Sequence, residues 1–196
     1  MEVTTSDWRN IILTDNEKKI IDQKMGFVKK TLKSLQHYDN PVKLAIEIDN
    51  WIRELAFFYN ELVSDGDNPS KVYYRINASK RPHEGQIAYI NLRRGYPKEA
   101  MDGHWCYILK DYGSKYIVIP STSIKKDSSP CNPDCEMDIL DNTSNGISRL
   151  HFADTRSIDA MRVNTKKQPN FYDVKTPRKD IINNFSKSML DVVENE

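Results

Sequence analysis

Residues 85–122 read GQIAYINLRRGYPKEAMDGHWCYILKDYGSKYIVIPST, and this stretch decides the fold. Gln86 to Leu92 alternates. Trp105 to Leu109 and Tyr116 to Ile119 are short apolar runs rich in β-branched and aromatic residues, so the pattern predicts three strands. Asp111-Tyr112-Gly113-Ser114 is a turn, because glycine accepts a positive φ without steric cost. The connection from Arg93 to Gly103 is longer than a hairpin needs and carries Arg93, Arg94, Lys98, Glu99 and Asp102, and long charged loops inside a compact sheet are often functional. Pro120-Ser121-Thr122-Ser123 then places three hydroxyls at the predicted exit of the third strand. The arrangement predicts His104 and these hydroxyls side by side.

Upstream, Met1 to Leu13 reads as a lead-in, with Trp8, Ile11 and Ile12 as docking points. Thr14 followed by Glu17 is a capping-box pattern. It predicts a helix to about Leu35, striped by Ile20, Ile21, Phe27, Val28 and Leu32. Asn40-Pro41 starts a second helix to Val63, with Leu44, Ile48, Trp51, Ile52, Leu55, Phe58, Tyr59 and Leu62 at helical spacing. The short link between them predicts an antiparallel hairpin whose apolar face needs covering by the sheet or by another subunit. The Ser64–Ser70 segment, rich in Asp, Gly, Asn and Pro, is the one strong break. We therefore divide the chain into a helical extension, 1–66, and a sheet domain, 71–196, with Val72 to Ile76 leading in as a loop or short strand.

Downstream, Cys135 to Leu140 alternates, Asn145-Gly146 signals a hairpin turn, and Ile147 to Phe152 is a further strand. Period-two alternation puts Arg149 and His151 on one face and Leu150 and Phe152 on the other. Asp154 to Asp159 reads as a turn leading to Met161–Val163. Thr176-Pro177 starts a final amphipathic helix to about Val193. Short strands with tight turns and no alternating helices point to an α+β protein built on a small antiparallel barrel.

Composition narrows the classes. The chain has 196 residues, 38% hydrophobic and 29% charged, which suits a folded, soluble protein. A net charge of +1 gives no global attraction to nucleic acid or membrane, so any nucleic-acid site must be a local patch. No run is long and apolar enough to span a bilayer, and the start lacks the pattern of a secretory signal. Three cysteines, Cys106, Cys131 and Cys135, are an odd number and suggest a reducing, cytoplasmic setting.

No Gly-rich phosphate loop, HExxH or GxSxG is present, so nucleotide-hydrolase, zincin and α/β-hydrolase readings lack support. Cys131 and Cys135 lack a second ligand pair, so a metal site would need His104 or His151 as distant partners; two surface or half-buried thiols are the preferred reading, and we expect neither metal nor cofactor. His104, at a strand mouth, has the chemistry of a proton carrier near neutral pH, or of a structural histidine. Thr122 with Ser121 and Ser123 suits a phosphate, or is a plain strand end. Arg149, Arg156 and Arg162 offer fixed positive charge, or pair with Asp154 or Asp159.

The order of these elements is more specific than any one of them. From Gly85 to Val163 the chain resembles the MazF/PemK (Kid) family of toxin endoribonucleases. The likeness rests on the opening strand Gly85–Leu92, the charged loop with Glu99, Gly103-His104, Val118-Ile-Pro-Ser-Thr-Ser123, and Asp154-Thr-Arg-Ser-Ile-Asp159. It implies an SH3-like barrel, a homodimer, cleavage of single-stranded RNA without metal, and a protein antitoxin as partner. It carries the role of the family's threonine to Thr122. The family's loop normally ends in Gly-x-Arg-Pro, where this chain has His104 followed by Trp105, which either moves the acid–base role to histidine or alters the activity. On this reading His104, Thr122, His151 and Arg149 are the catalytic candidates. Arg93, Arg94, Tyr96, Lys98, Trp105, Ser121, Ser123 and Arg156 are the candidates to hold RNA. The competing expectation is a non-catalytic module on the same barrel, like the CcdB relatives or an RNA-binding regulator.

Overall fold

The computed structural model describes residues 13–63, 68–69, 72, 76–93, 96 and 98–190. Trp8, Ile11 and Ile12, most of the Ser64–Ser70 break, most of the Val72–Ile76 lead-in, and Arg94 lie outside them. The chain divides into two compact units, Met1–Tyr73 and Tyr74–Glu196.

The first unit holds two helices. Helix α1 spans Asp15–Ser34 and opens with the capping box: the Thr14 N–H donates to Glu17 Oε2 at 2.8 Å, and the Glu17 N–H to Thr14 Oγ1 at 3.3 Å. Helix α2 spans Pro41–Phe57, capped by Asn40, whose Oδ1 accepts from the Lys43 N–H at 2.8 Å. The α-helical pattern stops six residues short of the expected Val63, because Phe58–Leu62 winds as a π-helical turn. Neither helix buries a side chain fully among the described residues. Trp51 and Ile52, on the predicted apolar stripe, are 46% and 52% exposed.

The second unit is a seven-stranded antiparallel sheet with helix α3 (Arg178–Leu190) on one face. Its strands are β1 (Gln86–Asn91), β2 (Gly103–Asp111), β3 (Lys115–Ser123), β4 (Glu136–Leu140), β5 (Ile147–His151), β6 (Arg156–Asp159) and β7 (Phe171–Asp173). They run in the order β4-β5-β3-β2-β1-β7, with β6 beside β3. On one side β3 pairs with β2 along most of its length; on the other it changes partner midway. Lys115–Val118 pairs with β6 and Ser121–Ser123 with β5. Pro120, which has no N–H to give a ladder, sits in the gap between the two partners. An isolated bridge, Asp141 to Val174, links the far ends of β4 and β7, but the sheet is not closed by a continuous ladder.

Alternation sends successive residues of each strand to opposite faces. One face packs Ile87, Tyr107, Ile119, Ile139 and Leu150 against Phe152 and Ile181 of α3, with the Phe152 and Phe185 rings edge-to-face at 5.6 Å. The other face carries a second core of Ala88, Ile90, Cys106, Ile108, Val118 and Ile158.

Three sequence expectations need correction. Ser121, Thr122 and Ser123 belong to β3 rather than to its exit, because β5 extends the ladder past Pro120. Arg156–Asp159, expected as a turn, is strand β6. Strand β7 was not foreseen; three residues are too few for alternation to register, and it is tied in from outside. The Asn170 carbonyl before it accepts from the Tyr89 N–H at 2.8 Å, and its side-chain amide donates to the Lys80 carbonyl at 2.7 Å.

Candidate active site

Strand register assembles the site. Arg149 on β5 stands opposite Thr122 on β3 and opposite Asp138 on β4, while His151 stands opposite Glu136. Period-two alternation therefore puts Thr122, Arg149, His151, Glu136 and Asp138 on one face. On β2, the pairing of Trp105 with Ser121 brings His104 to the same face beside Thr122.

The contacts form a chain. Thr122 Oγ1 and His151 Nε2 are 2.8 Å apart, and the other ring nitrogen, Nδ1, lies 3.1 Å from Glu136 Oε1. With Nδ1–H donating to the carboxylate, the bare Nε2 accepts from the Thr122 hydroxyl; the protonated ring donates to both. Glu136 Oε2 accepts from the Asn132 N–H at 3.0 Å and lies 3.6 Å from Arg149 Nη1. Arg149 itself is bidentate on Asp138, with Nε to Oδ1 at 2.6 Å and Nη2 to Oδ2 at 3.1 Å, and donates to the Ser129 carbonyl at 2.7 Å. The guanidinium holds the Asp138 carboxyl below its usual range. Arg149 is thus buried and neutralised, a clamp within the wall of the site.

His104 is half-buried, and that burial pushes its pKa below the ordinary imidazole range. The nearby His151 acts in the same direction, while Asp154 and the carbonyls of Met101 and Ser121 oppose it. The result is an imidazole that stays neutral to lower pH. A Cβ at the preceding Gly103 would lie 2.7 Å from ring carbons of Tyr89, so a larger residue there would require the Tyr89 ring to shift.

The other candidates divide. Arg156 takes the pairing alternative, with Nη2 3.9 Å from Asp154 Oδ1 and Nε donating to the Asp154 carbonyl at 3.2 Å. Ser121 is buried and donates to the Trp105 carbonyl at 3.0 Å, stapling β3 to β2. Ser123 and Lys98 are exposed, and Tyr96 is 82% exposed. Arg93 follows β1 with φ of 74°. Trp105 faces away from His104 across β2. It packs on Tyr89 and Tyr172 at ring separations of 5.3 and 5.0 Å, under the Lys167 ammonium 5.5 Å from its centroid. Cys106 lies beside the site, but its thiol is driven far upward by burial and is inert. Among the described residues no three His, Cys, Asp or Glu side chains converge to hold a metal ion.

Sequence reasoning missed Glu136 and Asp138. The signal was present: acids at 136 and 138 and bases at 149 and 151 alternate with the same period on either side of the Asn145-Gly146 turn. Folding that hairpin lays one pair over the other.

No protein-family model matches the chain, and no curated protein matches it in sequence.

Proposed function

We propose that this protein is an endoribonuclease that cuts single-stranded RNA without a metal, by attack of the substrate's own 2′-hydroxyl. The observation that carries this reading is the pair of imidazoles, His104 and His151, flanking the Thr122 hydroxyl on one face. The reaction needs a base for the 2′-hydroxyl, an acid for the leaving 5′-oxygen and a group to hold the phosphate. His104, kept neutral by burial, is the base; His151, when protonated, is the acid. The 2′-oxygen bonds to phosphorus as the bond to the 5′-oxygen breaks, leaving a 2′,3′-cyclic phosphate and a free 5′-hydroxyl. With His151 protonated, its Nε2–H donates to Thr122 Oγ1. The Thr122 hydroxyl then turns its own hydrogen to a phosphate oxygen until the ring's proton passes to the leaving 5′-oxygen. Arg149, committed to Asp138, acts on the walls of the site rather than on the phosphate.

The MazF/PemK-like reading rests on the sequence resemblance, whose Val118–Ser123 and Arg156–Asp159 blocks meet on the sheet at Val118 opposite Arg156. In this reading the curled sheet is an SH3-like barrel, the protein is a cytoplasmic homodimeric toxin, and a protein antitoxin neutralises it. The test is cleavage of a long RNA by purified protein in EDTA, comparing wild type with His104→Ala and Thr122→Ala. Wild type should leave cyclic phosphate ends, and each variant should fall by about 10²-fold or more. No cleavage by wild type, with His104→Ala as growth-arresting as wild type, would sink the proposal.

The neutralised Arg149 favours one second reading, a non-catalytic CcdB-like or RNA-binding module. It requires binding or toxicity to persist when His104 and Thr122 are both removed.

A further inference from the structure

We propose that Glu136 is the positioning residue of this site: it fixes His151 in the tautomer whose bare Nε2 meets the Thr122 hydroxyl. A neutral imidazole carries one N–H, on either nitrogen, and the neighbour of one nitrogen decides the role of the other. Glu136 Oε1, 3.1 Å from Nδ1, is an ionised carboxylate oxygen that only accepts, so the proton resides on Nδ1. Removing that acceptor frees the proton to move to Nε2. The 2.8 Å bond to Thr122 Oγ1 would then reverse its polarity, with the ring donating and the hydroxyl released to turn elsewhere.

A positioning group must itself be fixed, and Glu136 is held from several directions. Its second oxygen accepts from the Asn132 N–H at 3.0 Å, and Arg149 Nη1 stands 3.6 Å away. The same Arg149 nitrogen donates to the Ser129 carbonyl at 2.7 Å, while Asp138 grips the rest of the guanidinium. The 129–132 loop, β4 and β5 thereby converge on one carboxylate. This gives Arg149 and Asp138 a purpose that does not require either to touch substrate: they hold the group that holds the histidine. The charged and titratable groups facing His151 are Glu136 and Asp138 from β4, Arg149 from its own strand, and His104 from β2.

The inference rests on the endoribonuclease reading for its kinetic consequence, but its structural claim can be judged without activity. The experiment is ¹⁵N–¹H correlation of the His151 ring in the full-length labelled protein at about pH 8, above the ordinary imidazole range. Wild type should show a single Nδ1–H tautomer. Glu136→Gln retains size but has one acceptor oxygen for two donors, the Asn132 N–H and His151 Nδ1–H; it should show a mixed or inverted tautomer. Glu136→Ala should do the same, and if it fails to fold, Glu136→Gln decides. On RNA, the folded variants should lose about 10²-fold in kcat with KM nearly unchanged, because the protonated ring that serves as the acid keeps Nε2–H aimed beside Thr122 only while Glu136 holds Nδ1–H. A folded Glu136→Gln with the wild-type tautomer would overturn the proposal. A wild-type protein that cuts no RNA would sink the endoribonuclease reading while leaving the tautomer measurement to judge Glu136.

Discussion

At its β4–β5 end, the sheet has two faces that are built from the same strands and behave as different materials. On β4 and β5, Ile139 and Leu150 enter the core that packs on α3, while Glu136, Asp138, Arg149 and His151, the residues between and beside them, form a charged, hydrogen-bonded network. One residue of displacement along a strand separates a side chain with no exposed surface from one at the candidate site. On β4 and β5 packing and chemistry are divided by the parity of position, whereas on β2 and β3 the face that carries His104 and Thr122 also carries the second core, with Cys106 and Val118. At the β4–β5 end, stability and activity should therefore respond to different mutations.

The sharpest break of that division is His151→Ala. It should slow RNA cleavage by about 10²–10⁴-fold, roughly 2.7–5.4 kcal/mol of barrier. Its side chain is 25% exposed, so the thermal midpoint should move little, and a melt beside a single-turnover assay checks both. The next effect is the mirror image. Phe152→Ala, one residue on, empties a fully buried ring site and should cost about 3–5 kcal/mol in urea unfolding. The molecules that remain folded should keep their rate. If Phe152→Ala instead abolished cleavage at full occupancy of the fold, the division by parity would be wrong.

The smallest effect is pH-dependent. His104 has a folded pKa depressed by burial, so the fold disfavours its charged form. The sign follows: its contribution is fully present above the unfolded value of about 6.5 and is lost as pH falls through the folded one. The urea midpoint should drop between neutral and mildly acid pH, and His104→Gln should flatten that slope. Asp138, also depressed, acts in a separate and more acid window, below about 3.8, and would not be confused with it.

How legible all this was in the sequence depended on the range of the interaction. The helix caps are local: Thr14 with Glu17 and Asn40 with Lys43 act over three residues, and both stand where the sequence put them. The faces of β5 followed from alternation alone, and Leu150 and Arg149 point as expected. What failed was non-local. The continuation of β3 through Pro120 depends on β5, some 30 positions away, and no property of Ser121 or Thr122 announces it. Strand β6 is four residues long and β7 three, each held by partners remote in sequence. In the site, Thr122 and His151 stand out in the sequence by their chemistry, and the β3–β5 pairing brings them into contact. Glu136 was passed over because an acid in an alternating strand looks like solvent-facing polarity until its register with His151 is known. The apolar stripe of α2 is a different case. Its periodicity was read correctly, yet Trp51 and Ile52 remain exposed, because periodicity identifies a face without supplying what covers it.

Pro120 has a consequence for how this protein can be changed. The half of β3 before it carries Tyr116 and Val118, both fully buried, and is bound to β6; the half after it carries Thr122 and is bound to β5. A proline at the seam means that the two halves share no ladder bond on that side. Changes at the β4–β5 end would therefore leave the β6 pairing of β3 untouched, but they would have to keep Ser121 opposite Trp105 and Leu150 in the core shared with Tyr107 and Ile181.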